Sequence, residues 1–396
     1  MTGDGFELTF LSKYVVDQGF SSSQASLLFT MYGLVAALAG WSSGVLAELF
    51  GAKRIMLIGA GSWIVLHLVF IGVALPSHSY SLMLASYMLR GMGYPLFIYS
   101  FVVLLAQTVD PGKLASAMGW FWTSYSFGIG VFGAYLPAFI TPVIGEYYSL
   151  WVSLPFSIVG MIICLCFVPK TRNANLDTMS SSDKLRELSR GVTILKDNHQ
   201  IALAAVLRVI CNLTLYGFPV IMPLYLATHT NGGGVGTRSP NGPPSGVCCS
   251  SSPYSAMCSG AVWAIASVDE PDALVGCWLS ALGTLAMYYV PQLFGHNLPF
   301  MYVCAVVLGM GISAFVPMGA VFPALEPEHK GAAVSAHNLA SGLTTFCGPF
   351  IATVLLNTVG FAGVCWAYAI CYISGSVISF WIRPEQPGIT RKVAAN

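Results

Sequence analysis

The sequence predicts an all-α membrane protein, and three observations carry that prediction. Of its 396 residues, 56% are apolar and only 8% are charged, against about 25% charged in ordinary soluble domains. Mean hydropathy is +0.72. Apolar stretches of spanning length, about 20 residues, recur along most of the chain. A soluble protein of this size would have too much surface for so few charges. The 17 basic and 16 acidic residues nearly cancel, so no electrostatic footprint for nucleic acid or acidic partners exists.

The elements follow in order. An apolar run at about 5–16 is too short to span alone, which predicts a first helix present only in its second half. Full-length spans are predicted near 22–47, 54–75, 80–108, 115–140 and 147–168. A polar, basic segment at 169–198 follows, with Lys170, Arg172, Lys184, Arg186, Arg190 and Lys196. The remaining spans fall near 200–227, 276–294, 299–324, 332–358 and 361–382. Each must be helical, because lipid offers backbone groups no partners.

The positive-inside rule places 169–198 in the cytoplasm. Counting back gives six crossings and a cytoplasmic N-terminus. The basic turns at Lys53-Arg54 and Lys113 then fall inside, and the turns at 76–80 and 141–146, free of Lys and Arg, fall outside. The second half shows five spans, which would leave Lys330, Arg383, Arg391 and Lys392 outside. One more crossing between 228 and 275 restores them to the cytoplasm. That stretch is instead rich in Gly, Ser, Pro and Cys. Joining the last base of each codon to the first two of the next lets Val262–Pro271 encode a Leu-Gly-Asp-Arg-Phe-Gly-Gly-Arg-Thr string. The expectation is that about 229–275 is written out of frame and hides an eighth helix. The domain reading is an N-terminal bundle at 1–168, a linker at 169–198, a C-terminal bundle at 199–383 and a cytoplasmic tail at 384–396.

Gly44-Val-Leu-Ala-Glu48-Leu-Phe-Gly51-Ala-Lys53-Arg54 joins the second and third spans. Gly44 permits close helix contact, and Gly51 allows a tight turn. Lys53 and Arg54 can pair with Glu48 or with helix C-termini. The shifted-frame string would repeat this motif in the second half. Two six-helix halves sharing a loop motif and joined by a basic linker resemble the major facilitator superfamily. That resemblance implies a central site between the halves.

A narrower resemblance rests on further motifs. Gly3-Asp4-Gly5-x-Glu7 with Phe10-Leu11-Ser12, Leu28-Phe29-Thr30-x-Tyr32-Gly33 and Arg90-Gly91-Met92-Gly93-Tyr94-Pro95-Leu96-Phe97 are three of them. Tyr288-Tyr289-Val-Pro291-Gln292 and Pro327-Glu328-His329-Lys330-Gly331 are two more. The chain resembles the polyol permease family over nearly all its length except 229–275. Members include ribitol and D-arabinitol transporters, and some are labelled α-ketoglutarate permease. The resemblance implies a multi-pass protein of the plasma (inner) membrane, working as a monomer on a small polyol by proton symport. The alternatives are a proton-coupled dicarboxylate carrier and an inactive remnant of a frame-damaged gene.

Ionisable residues inside lipid cost about 2.5–3.5 kcal/mol on insertion scales, so they are paired or functional. Asp4 and Glu7 lie one turn apart on the first helix. Either is a candidate for the coupling proton, since a carboxyl taken out of water holds a proton more readily. Arg90 and Arg208 are candidates to pair with Asp4 or Glu7, or to grip a carboxylate substrate through the guanidinium fork. The alternative for Arg208 is a side chain that reaches the cytoplasmic face. Polyol recognition calls for hydroxyls, amides and aromatic faces. Tyr94, Tyr99, Trp120, Tyr125, Asn212, Tyr216, His337 and Asn338 are the candidates. The seven histidines and eleven cysteines show no metal-ligand spacing. No phosphate loop or nucleophile elbow is present, so the reading is neither an enzyme nor an ATP-driven pump, and no cofactor is implied.

Overall fold

The computed structural model describes residues 1–109, 111–169, 193–230, 271–294, 298–314, 318–326 and 330–382. Regular structure among them is helical throughout. Helix α1 (Thr2–Asp17) has 16 residues, which at about 1.5 Å each falls short of a ~30 Å hydrocarbon core. Helix α2 (Ser22–Phe50) starts on a capping box, in which Ser21 and Gln24 each bond the other's backbone N–H. It stops at Gly51, whose φ of 90° suits only glycine. Helix α3 (Ala52–Val69) runs on through a π-turn at Phe70–Ala74.

Helices α4 (Tyr80–Arg90) and α5 (Gly93–Thr108) are one span, broken just after Arg90. Helices α6 (Pro111–Ser126) and α7 (Gly133–Ile144) are another, joined by a π-turn at Phe127–Phe132. Helix α8 (Glu146–Phe167) closes the first half. In the second half, α9 (His199–Cys211) and α10 (Leu213–Thr230) meet at Asn212. Helices α11 (Pro271–Phe294), α12 (Leu298–Ser313), α13 (Met318–Leu325) and α14 (Lys330–Ser379) follow. Helix α14 is two helices run together across Gly360, where φ is 67°.

Large apolar side chains point outward. Val143 is 81% exposed, and Phe139, Ile163, Leu282 and Ile370 are also exposed. In water such a surface would aggregate; in lipid it is solvated. Eight stretches among the described residues are long and apolar enough to cross a membrane, the last of them holding both helices of α14.

Packing fixes which helix ends lie together. Lys53 Nζ donates to the carbonyls of Leu165 and Val168 at 2.8 and 2.7 Å. The ends of α2 and α8 therefore share one face of the bundle. Helix α14 runs antiparallel to α2: Thr30 meets Thr353, Gly33 meets Thr345, Ala37 meets Gly342 and Gly40 meets Asn338. The start of α14 thus lies at the Lys53 face. Asn198 donates to Leu325 O and Glu326, so α9 starts at that face too. Helix α11 is antiparallel to α12, with Gly283 on Leu308 and Gly311 on Ser280. Ala273 packs with Ile201 and Leu325 in one apolar cluster and so begins α11 at the Lys53 face. Tyr225 bonds Tyr288 O and Gln292, near the other end of α11.

Helix α10 therefore ends, and α11 begins, at opposite faces. One further crossing between 228 and 275 requires this arrangement of the flanking helices. The crossing expected there, nearly all of the 229–275 stretch expected to be out of frame, and most of the 169–198 linker lie outside the described residues. So does the 384–396 tail.

The α2–α14 seam joins the two halves with almost no clearance. A Cβ placed on Gly33 would sit 2.2 Å from Thr345 O, and one on Gly342 would sit 2.4 Å from Ala37 Cα. Small residues bring backbones this close where lipid supplies no hydrophobic force between helices.

Candidate functional site

The Arg90-Gly-Met-Gly motif has a local explanation. A Cβ on Gly91 would meet Tyr32 O at 2.3 Å, and one on Gly93 would meet Trp63 Cβ at 2.6 Å. The two glycines press the α4–α5 break against α2 and α3, and the Arg90 side chain is held there with no exposure.

Arg90 is fully enclosed by partners. It forms a two-pronged pair with Glu7 of α1, Nη1 reaching Oε1 at 2.5 Å and Nη2 meeting Oε2. Nη1 also lies 2.6 Å from His67 Nδ1 of α3. Four rings surround the guanidinium: Tyr87 at 4.5 Å, Trp63 at 5.1 Å, Tyr32 at 5.6 Å and Phe70 at 5.8 Å. Planar guanidinium and carboxylate match edge to edge, which is why Arg rather than Lys suits this position. Of the three Arg90 nitrogens, Nη1 and Nη2 are paired and Nε has no hydrogen-bond partner among the described residues.

Asp4 is treated differently. Its Oδ1 accepts from Tyr32 Oη at 3.0 Å and from Trp63 Nε1 at 2.9 Å. No cation stands within ion-pair distance of it among the described residues. Asp4 lines a tight cavity of about 30 Å³ between the halves. Glu7, Tyr32, Tyr87, Tyr94 and Tyr125 line it from the first half; Tyr216, Thr345 and Pro349 line it from the second. Tyr94 Oη lies 3.2 Å from Thr345 Oγ1, and Tyr125 Oη lies 3.5 Å from Tyr216 Oη. Hydroxyls from both halves thus meet across the cavity. A second cavity of about 260 Å³, within the first half, shares Asp4 and Tyr94 with the first and is also lined by Trp63.

The second half has its own cation. Arg208 Nε donates to Ser341 Oγ at 3.0 Å. Asn212, with its amide oxygen turned toward Arg208, accepts from Nη1 at 2.7 Å and donates to Cys211 O. No carboxylate lies within ion-pair distance of Arg208 among the described residues. Of the two expected pairings, Arg90 meets Glu7, whereas Arg208 meets neither Asp4 nor Glu7. The reason is geometric: Arg208 lies on α9 and turns to α14, where Ser341 is one turn from Thr344.

Other expected residues scatter. Tyr99 packs its ring on Gly40 at the seam. Asn338 presents its backbone carbonyl to Gly40. His337 is buried edge-on against Phe322, with Nδ1 3.4 Å from Asn338 Oδ1. Trp120 is 71% exposed and lines neither cavity. In the loop motif, Gly44 lies 4.0 Å from Asn338 Nδ2 by an added Cβ, Lys53 caps the C-terminus of α8 and Arg54 is exposed. The Glu48 side chain lies outside the described set, so its pairing with Lys53 or Arg54 does too.

Sequence reasoning missed Tyr32, Trp63, His67, Tyr87 and Thr345. His67 carried a usable signal, as an ionisable residue well inside a predicted span. Trp63 lies one helical turn before it, on the same face.

Comparison with known proteins accords with this geometry. The family model described as Major Facilitator Superfamily matches residues 3–265 and 273–395. The ribitol transporter of Klebsiella pneumoniae is 43% identical, covering 98% of this chain and 91% of its own. The D-arabinitol transporter of the same organism is 42% identical, covering 100% and 92%. The α-ketoglutarate permease of Bacillus subtilis (strain 168) is 32% identical, covering 96% and 86%. Among solved structures, the nucleoside transporter NupG superposes with a TM-score of 0.71 at 14% identity, covering 96% of each chain.

Proposed function

The chain belongs to the Major Facilitator Superfamily, and on that premise we propose that this membrane transporter carries a small polyol of the ribitol or arabinitol type by proton-coupled alternating access. The observation that supports the reading most is the cavity between the halves. Tyrosine and threonine hydroxyls face one another there, and of its two carboxylates Asp4 has no cation beside it among the described residues. Hydroxyl donors and acceptors on aromatic walls suit a neutral chain of hydroxyls. The relatives named as ribitol and D-arabinitol transporters support the same substrate class.

In this reading Asp4 takes the coupling proton. Glu7, expected as an equal candidate, is committed to Arg90. Protonating Asp4 removes the charge that strengthens the Tyr32 and Trp63 hydrogen bonds and so loosens α1 from α2 and α3. Tyr94, Tyr125, Tyr216 and Thr345 hold the substrate, and the halves rock about it. The dicarboxylate alternative is less well served, because Glu7 already neutralises Arg90. The reading includes a monomer in the plasma (inner) membrane, with both termini and the 169–198 linker in the cytoplasm. It also keeps the two-bundle division at 1–168 and 199–383.

The test is uptake of labelled ribitol and D-arabinitol into proteoliposomes with an acid-outside gradient. Accumulation should collapse with a protonophore, and unlabelled α-ketoglutarate should not compete. Asp4→Asn should abolish accumulation while leaving counterflow exchange. Accumulation that ignores the protonophore would sink the symport; displacement by α-ketoglutarate would replace the substrate class. A chain that moves neither would be the inactive remnant.

A further inference from the structure

His67 is fully buried between α1, α4 and α8, and its surroundings fix where its ring proton sits. Ser153 of α8 has one hydroxyl proton, which it donates to Leu150 O at 2.7 Å. Toward His67 Nε2, 3.0 Å away, Ser153 Oγ must therefore accept, and Nε2 carries the hydrogen. Leu150 O, at 3.3 Å, is a second acceptor for the same N–H. On the other side, Arg90 Nη1 approaches Nδ1 at 2.6 Å. Arginine has donors only, so a protonated Nδ1 would set two donors against each other. These contacts are the ones a neutral Nε2–H ring makes, with its Nδ1 lone pair toward Arg90.

The count of hydrogens closes. Arg90 Nη1 has two: one goes to Glu7 Oε1 at 2.5 Å and the other to His67 Nδ1. Glu7 Oε1 and His67 Nδ1 are 3.2 Å apart, two acceptors that tolerate this distance because Nη1 bridges them. The groups facing His67 are thus Glu7 from α1, Arg90 from α4, and Ser153 with Leu150 O from α8. On its own helix, Trp63 stacks over it at 4.6 Å and 25°. Trp63 in turn donates to Asp4. One face of α3 therefore holds both polar centres: Trp63 grips Asp4, and His67 grips Arg90.

We propose that His67 is a positioning residue of the transport cycle, the neutral acceptor that orients Arg90 on Glu7 and ties that orientation, through the stacked Trp63, to Asp4. The inference rests on the transport reading for its role in the cycle, but its chemistry does not depend on the substrate. Two measurements test it. The first is nitrogen-15 NMR of the histidine-labelled protein, in which the His67 resonance is identified by its loss in His67→Asn. A neutral ring protonated at Nε2 is expected; an imidazolium or an Nδ1–H ring overturns the proposal, whatever the protein transports. The second compares two variants in polyol uptake. His67→Asn keeps an acceptor oxygen where Nδ1 stood, and should hold kcat within about threefold of wild type. His67→Leu removes an acceptor from a charged donor, and should lower kcat roughly ten- to a hundredfold with KM nearly unchanged. Equal loss in both variants, or a loss confined to KM, overturns the positioning role. If wild type moves no polyol, the transport reading fails, and the NMR result alone decides the His67 hydrogen-bond assignment.

Discussion

Each half of the molecule holds an arginine within a predicted span, and the two are housed in opposite ways. Arg90 has a carboxylate, a histidine and four aromatic rings around it. Arg208 has a serine, a carboxamide and a half-buried position. The first charge is cancelled where it sits. Among the described residues the second is only solvated, by dipoles that carry no net charge. A cancelled charge fixes geometry, because removing either partner strands the other in low dielectric. A solvated charge costs less to remove and keeps its field for whatever enters beside it. The difference separates a structural clamp in the first half from an available cation in the second.

Breaking the clamp should have the largest effect. Arg90→Gln or Glu7→Gln should each destabilise the protein by about 3–5 kcal/mol, read as a fall in thermal unfolding temperature in detergent. The apolar double variant Glu7→Leu with Arg90→Met should recover much of that loss. Single variants that unfold like wild type would erase the distinction between the two arginines. Next comes Arg208→Gln, for which a loss of about 1.5–3 kcal/mol is expected, the worth of hydrogen bonds from a charged donor. A drop as large as that of Arg90→Gln would mean that Arg208 is also clamped. Smallest is Lys53→Ala, which removes a cation from the C-terminal carbonyls of α8 and should cost about 0.3–1 kcal/mol. A larger fall would make the Lys53 loop part of the core rather than its edge.

Much of the fold was readable because lipid is so strict a solvent. Spans must be long, apolar and helical, so 22–47, 54–75 and 147–168 could be placed from composition alone. Their interruptions were harder. The break after Arg90 and the π-turns at Phe70 and Phe127 depend on neighbours such as Tyr32 O and the Trp63 side chain, which no local pattern reveals. The Glu7–Arg90 pair was within reach, since two opposite charges in lipid seek each other. Its exclusivity was not: Asp4 and Glu7 share a helix face, and only the positions of Trp63 and His67 decide which of them meets the cation. Aromatic candidates fared worst, because packing, interface and substrate roles use the same side chains. Trp120 is exposed while Tyr125, five residues on, lines the cavity.

The seam between α2 and α14 has a mechanical consequence. Where a single methyl group would collide with the opposite backbone at Gly33 and Gly342, the joint has no play. Sliding along it would drive Ala37 and Thr345 into the facing turns, and parting it would forfeit the closest contacts between the halves. Of the six rigid-body freedoms available to two linked bodies, rolling about that line is the least obstructed. Volume gained on one flank of such an axle is lost on the other. In the rocking cycle proposed above, two flanks governed by one axle would not stand open together, and the geometry of two glycines would resist a leak through the protein.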